Sequence, residues 1–257
     1  MNQFGESIKL FLVEVGELFY FSGRFFSNLF KRPFEFKEFL RQCYFIGNRS
    51  LFLVGITGFI IGLVFTLQSR PKLEELGAVS WLPSMVGISI IREIGPIITA
   101  LICAGKIGSG IGAELGSMKV TEQIDAMEVS GTNPFKYLVV TRILATTFMI
   151  PILVVMSDGI ALFGSFLVEN VKGDVSFTLY FDEVFTALEF SDIIPSTIKT
   201  FFFGFAIGLV GCYKGYTTRH GTAGVGFSAN SAVVEASIAL FILDFIAVLV
   251  SDIFYSI

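Results

Sequence analysis

Five stretches of this chain are too apolar and too long to sit anywhere but across a lipid bilayer. They cover roughly residues 50–68, 86–116, 137–168, 196–213 and 232–253. A hydrocarbon core ~30 Å thick is crossed by about 20 mostly apolar residues in a helix. Backbone polar groups find no water there, so each stretch must close its hydrogen bonds within itself. The expected fold class is therefore an all-α integral membrane protein with five transmembrane helices. Charged residues make up 16% of the chain, against about 25% in a soluble domain.

The segment before the first run differs. Phe4, Ile8, Phe11, Leu12, Val15, Leu18 and Phe19 recur at helical spacing, but Glu6, Lys9, Glu14 and Glu17 interrupt them. This predicts an N-terminal amphipathic helix lying in the membrane interface. A basic start and a small-residue cleavage site are missing, so no cleavable signal peptide is expected. Lys31, Arg32, Lys37, Arg41 and Arg49 then cluster before the first span. The chain reads as one domain, with an interfacial region at 1–43 and a five-span region at 44–257.

Thirteen of the 18 Lys and Arg residues fall on the side of the N-terminus. Basic residues mark the cytoplasmic side, which predicts a cytoplasmic N-terminus and an outer C-terminus. The runs TEQIDAMEVSG and KGYTTRHG then face the cytoplasm, and the acidic loop 169–195 faces away. Residues 69–85 read as a loop, with Trp81 at a membrane boundary. Cys43, Cys103 and Cys212 lie far apart and His220 is the one histidine. No metal or redox site is expected from them, and His220 reads as a solvated loop residue.

Residues 92–142 link the second span to the third. The span carries Arg92 and Glu93, and a kink or break is expected at Gly95-Pro96. Gly108, Gly112 and Gly116 repeat every four residues, so they share one helix face and admit close packing. Gly58 and Gly62 make the same pattern in the first span. Next comes a short polar helix. Thr121 can cap its start, and Gly131 with Asn133-Pro134 ends it. Glu122, Asp125 and Glu128 form an acidic stripe, while Ile124, Met127 and Val129 form an apolar side. Such a helix suits force transmission to a soluble partner; on physics alone, a solvated connector fits equally well.

Charges within spans are costly, which makes them candidates for function. Arg92 and Glu93 either line a polar spot in a cavity or pair with each other to fix the broken helix. In the third span Pro151 and Gly159 mark bends, and Asp158 lies between them. Glu235 and Asp244 are nine residues apart and do not share a helix face, which argues against a proton relay. Arg49 reads as an interfacial anchor at the inner end of the first span.

The run from Arg92 to Ala145 resembles the MlaE-type, or YrbE-like, permease family. These are membrane subunits of ABC transporters that work with MCE proteins. The resemblance rests on Glu93, Gly95, Pro96, Thr99-Ala100-Leu101, Ala104-Gly105-Lys106, Gly108, Ala113-Glu114-Leu115-Gly116, Thr121-Glu122-Gln123, Glu128 and Asn133-Pro134. Further matches are Gly215-Tyr216, Gly224-Val225-Gly226, Ala232-Val233-Val234 and Leu243-Asp244. It covers about residues 40–255. The chain departs from the pattern in two places. No basic residue follows Gly226 in the run Phe227–Val234, and Asn133 stands where Asp is more common.

The resemblance implies a homodimeric permease in a bacterial cytoplasmic (inner) membrane, with its C-terminus in the periplasm. A coupling helix carrying Glu122, Gln123, Asp125, Met127 and Glu128 would dock on a cytoplasmic ABC ATPase. An MCE-domain protein would sit on the outer side, and phospholipid or a related lipid would be the cargo. Arg92, Glu93, Pro96 and Arg49 are the candidates for a lipid cavity. No cofactor is expected on this chain, because ATP would be used by the partner. The chain lacks a GxxxxGK[ST] phosphate loop, and GKIGSG lies within an apolar span. No nucleic-acid partner is expected.

Two other classes are open to a chain of this kind. An intramembrane lipid-modifying enzyme would need converging acid, base or nucleophile groups. Glu93, Asp158, Glu235 and Asp244 are the candidates, with no HExxH or GxSxG motif behind them. An ion-coupled carrier would favour inverted repeats, and the five-span pattern has none.

Overall fold

The computed structural model describes residues 2–219 and 221–255; His220 lies outside them. Among the described residues there are ten α-helices and no strand. The helices are α1 (Asn2–Leu29), α2 (Phe36–Glu75), α3 (Leu82–Ser89), α4 (Gly95–Cys103), α5 (Ser109–Val120), α6 (Gln123–Val129), α7 (Thr141–Gly173), α8 (Phe177–Ala187), α9 (Phe190–Tyr216) and α10 (Gly221–Tyr255). Among the same residues, five helical segments are long and apolar enough to cross a membrane: Phe36–Glu75, Val79–Val120, Phe135–Gly173, Phe190–Tyr216 and Gly221–Ile253.

These segments outrun the apolar cores read from sequence. α2 has 40 residues, which at 1.5 Å per residue is about 60 Å, twice the ~30 Å of hydrocarbon. It begins within the basic, aromatic stretch, passes residues 43 and 44 without interruption and takes in the start of the supposed loop 69–85. Its C-terminal end is held by Arg70, which pairs with Glu74 and with Glu169 of α7, both at 2.7 Å. The acidic segment 169–195 is likewise mostly helical rather than a loop. α7 runs to Gly173, and α8 is capped by Ser176, whose Oγ accepts from the Leu179 N–H at 3.3 Å. α8 turns Tyr180 and Val184 inward and leaves its acidic residues on the outer side. The Tyr180 hydroxyl donates to Ser165 Oγ at 2.6 Å, and Thr66 Oγ1 donates to the same oxygen at 2.6 Å. Burial pushes the Tyr180 hydroxyl up to about 12, so it stays a donor at neutral pH.

The expected break at Gly95-Pro96 is instead a π turn at Ile90–Ile94. The Gly95 N–H reaches the Ile90 carbonyl, and Pro96, which has no N–H, follows without ending the helix. A second π turn spans Ala104–Gly108 and a third Phe135–Val140. α7 passes Pro151 and Gly159 as one helix of 33 residues.

α2 and α7 form the closest helix pair. Gly58 lies against Ser157, and Gly62 lies so near the Ala161 carbonyl that a Cβ would overlap it. Gly112 faces Ser228, Ala229 and Ala232 of α10, and Gly116 faces Thr218; a Cβ on Gly108 would meet Ile207 at ordinary contact distance, while the Gly108 backbone lies against Gly211 of α9. One apolar core, with Ile124, Phe135, Ile143 and Ile207, fills the half of the bundle that carries α6. A second, with Leu82, Val86, Phe166 and Val184, fills the opposite half beneath α8. α1 joins the first core through Phe21 and Phe25; the Phe21 ring sits 5.0 Å from Phe135 and 5.6 Å from Tyr213. Leu12 and Phe19, read as part of its apolar stripe, are exposed.

The Gly62 contact can be tested. A Gly62→Leu variant should lose about 1–3 kcal/mol through overpacking, lowering the thermal midpoint in detergent. Gly159→Leu, on the partner helix where no atom lies within 4 Å, should leave the midpoint unchanged or raise it.

Candidate functional site

Two lysines of α9 organise the charges inside the bundle. Lys199, 5% exposed, pairs with Glu93 at 2.5 Å and with Asp244 of α10 at 3.0 Å. Lys214, at the other end of α9, pairs with Glu14 of α1 and with Glu235 of α10. Beside Lys214, the Tyr213 hydroxyl donates to Glu17 at 2.6 Å. Glu235 and Asp244 thus each meet a lysine of the neighbouring helix rather than each other.

Arg92 and Glu93 do not pair with each other. Adjacent residues on a helix point in different directions, so Glu93 meets Lys199 while Arg92 reaches Asp192 of α9 at 3.6 Å. Together they line a cavity of about 430 Å³ with Glu189, Asp192, Ser196 and Lys199. A second cavity, about 450 Å³, adjoins it and is walled by Ile194, Ile198, Phe202, Leu243, Ile246 and Val250. Pro195, Lys199, Ala247 and Ser251 border both. A polar compartment with buried charge therefore opens beside a greasy one, and Lys199 stands at the junction. That geometry suits an amphiphile.

Behind this site lies Asp158 of α7. It is 8% exposed, and its Oδ1 has no hydrogen-bond partner. Gly95 presses against that oxygen so closely that a Cβ would overlap it. The glycine beside Pro96 is thus required by the carboxyl facing it. Pro96 itself is buried in the helix and borders neither cavity.

Arg49 falls elsewhere. It stacks over the Phe45 ring at 3.5 Å and lines a separate pocket of about 340 Å³ with Gln42, Lys106 and Glu114. The four residues grouped from sequence as cavity candidates therefore do not converge; Arg92 and Glu93 do.

α6 stands between the second and third spans. Ile124 is 1% exposed, and Met127 packs on the same core. Glu122, Gln123, Asp125 and Glu128 are exposed, and Asp125 is tied to Lys119 of α5 at 2.7 Å. Thr121 does not cap the helix. Its hydroxyl donates to the Ser117 carbonyl, closing α5. The N-cap is Glu122, in a left-handed conformation with φ 59° and no side-chain cap bond. Gly131, with φ 80°, ends the helix, and Asn133 Oδ1 accepts from the Lys136 N–H at 3.1 Å to start the next. Val129 is not part of the inward side: it is 91% exposed, next to the acidic side chains.

Three cations that the sequence count placed on the basic side are buried at span ends. The Lys136 Nζ donates to the Pro33 carbonyl. Arg142, 2% exposed, donates to Glu114 at 2.9 Å and to the Leu138 carbonyl at 3.0 Å. Lys214 is the third. Apart from the Leu138 carbonyl, their partners lie at least 21 residues away in sequence, as Glu235 does from Lys214, so no local pattern announces them.

Comparison with known proteins agrees with this architecture. The family model for permease MlaE matches residues 39–250, and the chain belongs to the MlaE permease family. A Rickettsia felis protein named "Probable ABC transporter permease protein" is 36% identical over 256 residues, covering 100% of this chain and 98% of its own length. A protein of the same description from Synechocystis is 32% identical over 239 residues, covering 93% and 91%. The chloroplast protein TRIGALACTOSYLDIACYLGLYCEROL 1 of Arabidopsis thaliana is 32% identical over 225 residues, covering 88% of this chain and 64% of its own length. This chain is an integral membrane protein and a transport permease.

The Lys199 cluster gives a direct test. Lys199→Met keeps the stem but strands Glu93 and Asp244 beside each other. Breaking a fully buried pair costs about 3–5 kcal/mol; Glu93 is 39% exposed, so about 2–3 kcal/mol is expected here after screening. Thermal unfolding in detergent should show the drop, and adding Asp244→Asn should recover part of it.

Proposed function

We propose that the chain is the membrane subunit of an ABC transporter that moves phospholipid or a related lipid between membranes. It acts as a homodimer, with an MCE-domain partner on the outer side and a separate ATPase on the cytoplasmic side. It catalyses no reaction and binds no nucleotide; ATP is used by the partner. The membrane is the bacterial cytoplasmic membrane, with the N-terminus inside and the C-terminus in the periplasm.

The observation that carries the coupling role is the form of α6. Seven residues are rooted by Ile124 and Met127, and they project Glu122, Gln123, Asp125, Glu128 and the bare Val129 into solvent. An exposed valine among acidic side chains is a surface awaiting a partner with an apolar pocket and basic rim. The lipid role is supported by the paired polar and apolar cavities around Lys199. For the homodimer, α10 is the span least covered by the rest of the chain, with Val234, Ile238, Phe241 and Phe245 exposed, and a second copy would cover part of the face that lipid otherwise meets.

In transport, the ATPases move α6, and α5 and α7 carry that motion into the bundle. The Lys199 side of α9 then opens or closes on the lipid. Charge reversal tests the coupling half of this reading. Glu122→Lys with Glu128→Lys should abolish copurification of the ATPase and ATP-driven lipid transfer while leaving the permease folded. Retention of both would sink the assignment. Val129→Asp alone should weaken copurification by about tenfold, the effect of losing one apolar anchor.

A further inference from the structure

The polar compartment beside Lys199 carries more negative than positive charge. Its cations are Arg92 and Lys199, and its acids are Glu93, Glu189 and Asp192. Asp244, on Lys199, adds a fourth acid. Both cations are already paired within the chain. Lys199 is buried between two carboxylates, and an incoming anion could reach it only by displacing one of them. Arg92 is the looser cation: its side chain is 50% exposed and its pair with Asp192 is long, at 3.6 Å. Among the described residues, Glu189 meets no cation. It takes part in a capping box with Asp192, and its Oε2 accepts from the Ser191 hydroxyl.

These facts bear on which headgroup the cavity accepts. A headgroup phosphate has one accessible cation, Arg92, and taking it releases Asp192. With no ammonium on the ligand, Asp192 and Glu189 are then left as uncompensated carboxylates in a half-closed cavity. That is the kind of unpaired charge that disfavours a ligand. A zwitterionic headgroup exchanges partners instead: its phosphate takes Arg92, and its ammonium takes Asp192 and Glu189. The adjoining cavity, lined by Ile198, Phe202 and Ile246, receives an acyl chain in either case, so it does not discriminate.

We propose that this site selects lipids whose headgroup carries an ammonium, that is, aminophospholipids, over anionic phospholipids, and that Glu189 and Asp192 set the preference. The inference rests on the lipid reading above and goes beyond it by naming the headgroup chemistry.

The test uses the full chain reconstituted in vesicles of equimolar phosphatidylethanolamine and phosphatidylglycerol. After gentle extraction, retained lipid is quantified by mass spectrometry. The wild type should retain phosphatidylethanolamine over phosphatidylglycerol by on the order of tenfold. Glu189→Gln with Asp192→Asn should bring the ratio to that of the vesicle. Both replacements keep the oxygen acceptors of the capping box, so the start of α9 is preserved, and a monodisperse elution profile confirms it. Retention of lipid with no headgroup preference, or with phosphatidylglycerol favoured, overturns the selectivity. So does a preference that the double variant leaves intact. Ile198→Trp, which fills the apolar cavity, separates the two readings. If the wild type retains no more lipid than this variant, the lipid reading itself fails and takes the inference with it.

Discussion

Charge pairing inside the membrane is the constraint on which the rest of this structure depends. An unpaired Lys, Arg or Asp at the centre of a spanning helix costs ~2.5–3.5 kcal/mol on insertion scales, and more when isolated. α9 carries two lysines, and each gathers acids from two other elements: Glu93 and Asp244 at one end, Glu14 and Glu235 at the other. The second span, α10 and the N-terminal helix are thereby pinned to α9. The Arg70–Glu169 and Arg142–Glu114 pairs join α2 to α7 and α5 to α7 in the same manner. Dispersion and small-residue packing then draw the helices together, as at Gly62 against Ala161. Packing alone leaves the rotation of each helix loosely set; the ion pairs define it.

The same pairs divide the molecule into two ends with different tasks. One end holds α6 and Lys214, and is proposed above to take up motion from an ATPase. The other holds Lys199 and its twin cavities, proposed above to receive an amphiphile. α9 and α10 run between these ends as unbroken helices, whereas the spans on either side of α6 are interrupted by π turns, at Ile90–Ile94 and Ala104–Gly108 in the second span and at Phe135–Val140 at the start of the third. A π turn weakens the regular ladder locally and is common at functional positions.

The five spans were legible because apolar length admits one solution in lipid, and the short helix after the second span was legible from its composition and its Gly131 and Asn133-Pro134 stop. The family was legible from the order of small and acidic residues between Arg92 and Pro134. Helix ends were not. Residues 36–49 read as a basic, aromatic stretch before the first span and 69–75 as loop, yet their charges have partners: Glu38 accepts from Gln42 and from Tyr137, and Arg70 meets Glu169. α8 was hidden because its acidic residues occupy its outer face. At the site, the adjacency of Arg92 and Glu93 left a mutual pair and a cavity lining equally open. Only the packed structure reveals Lys199 and Asp192 as their partners, about a hundred residues on. The count of basic residues that oriented the chain also included Lys136, Arg142 and Lys214, which the fold buries.

The π turn at Ile90–Ile94 has a consequence for register. It is one residue more than an α-helix needs, and each residue of a helix advances about 100° around the axis. Everything on the Arg92 side is therefore turned by about that angle relative to an uninterrupted helix running from Gly95. This extra residue brings Glu93 round to Lys199 while Gly95 still meets Asp158. Shortening the segment by a single residue would regularise the hydrogen bonds and swing the charged side chains off α9. The arrangement of charge at this end of the permease is thus written as much in the length of the chain between Ser89 and Gly95 as in the side chains it carries.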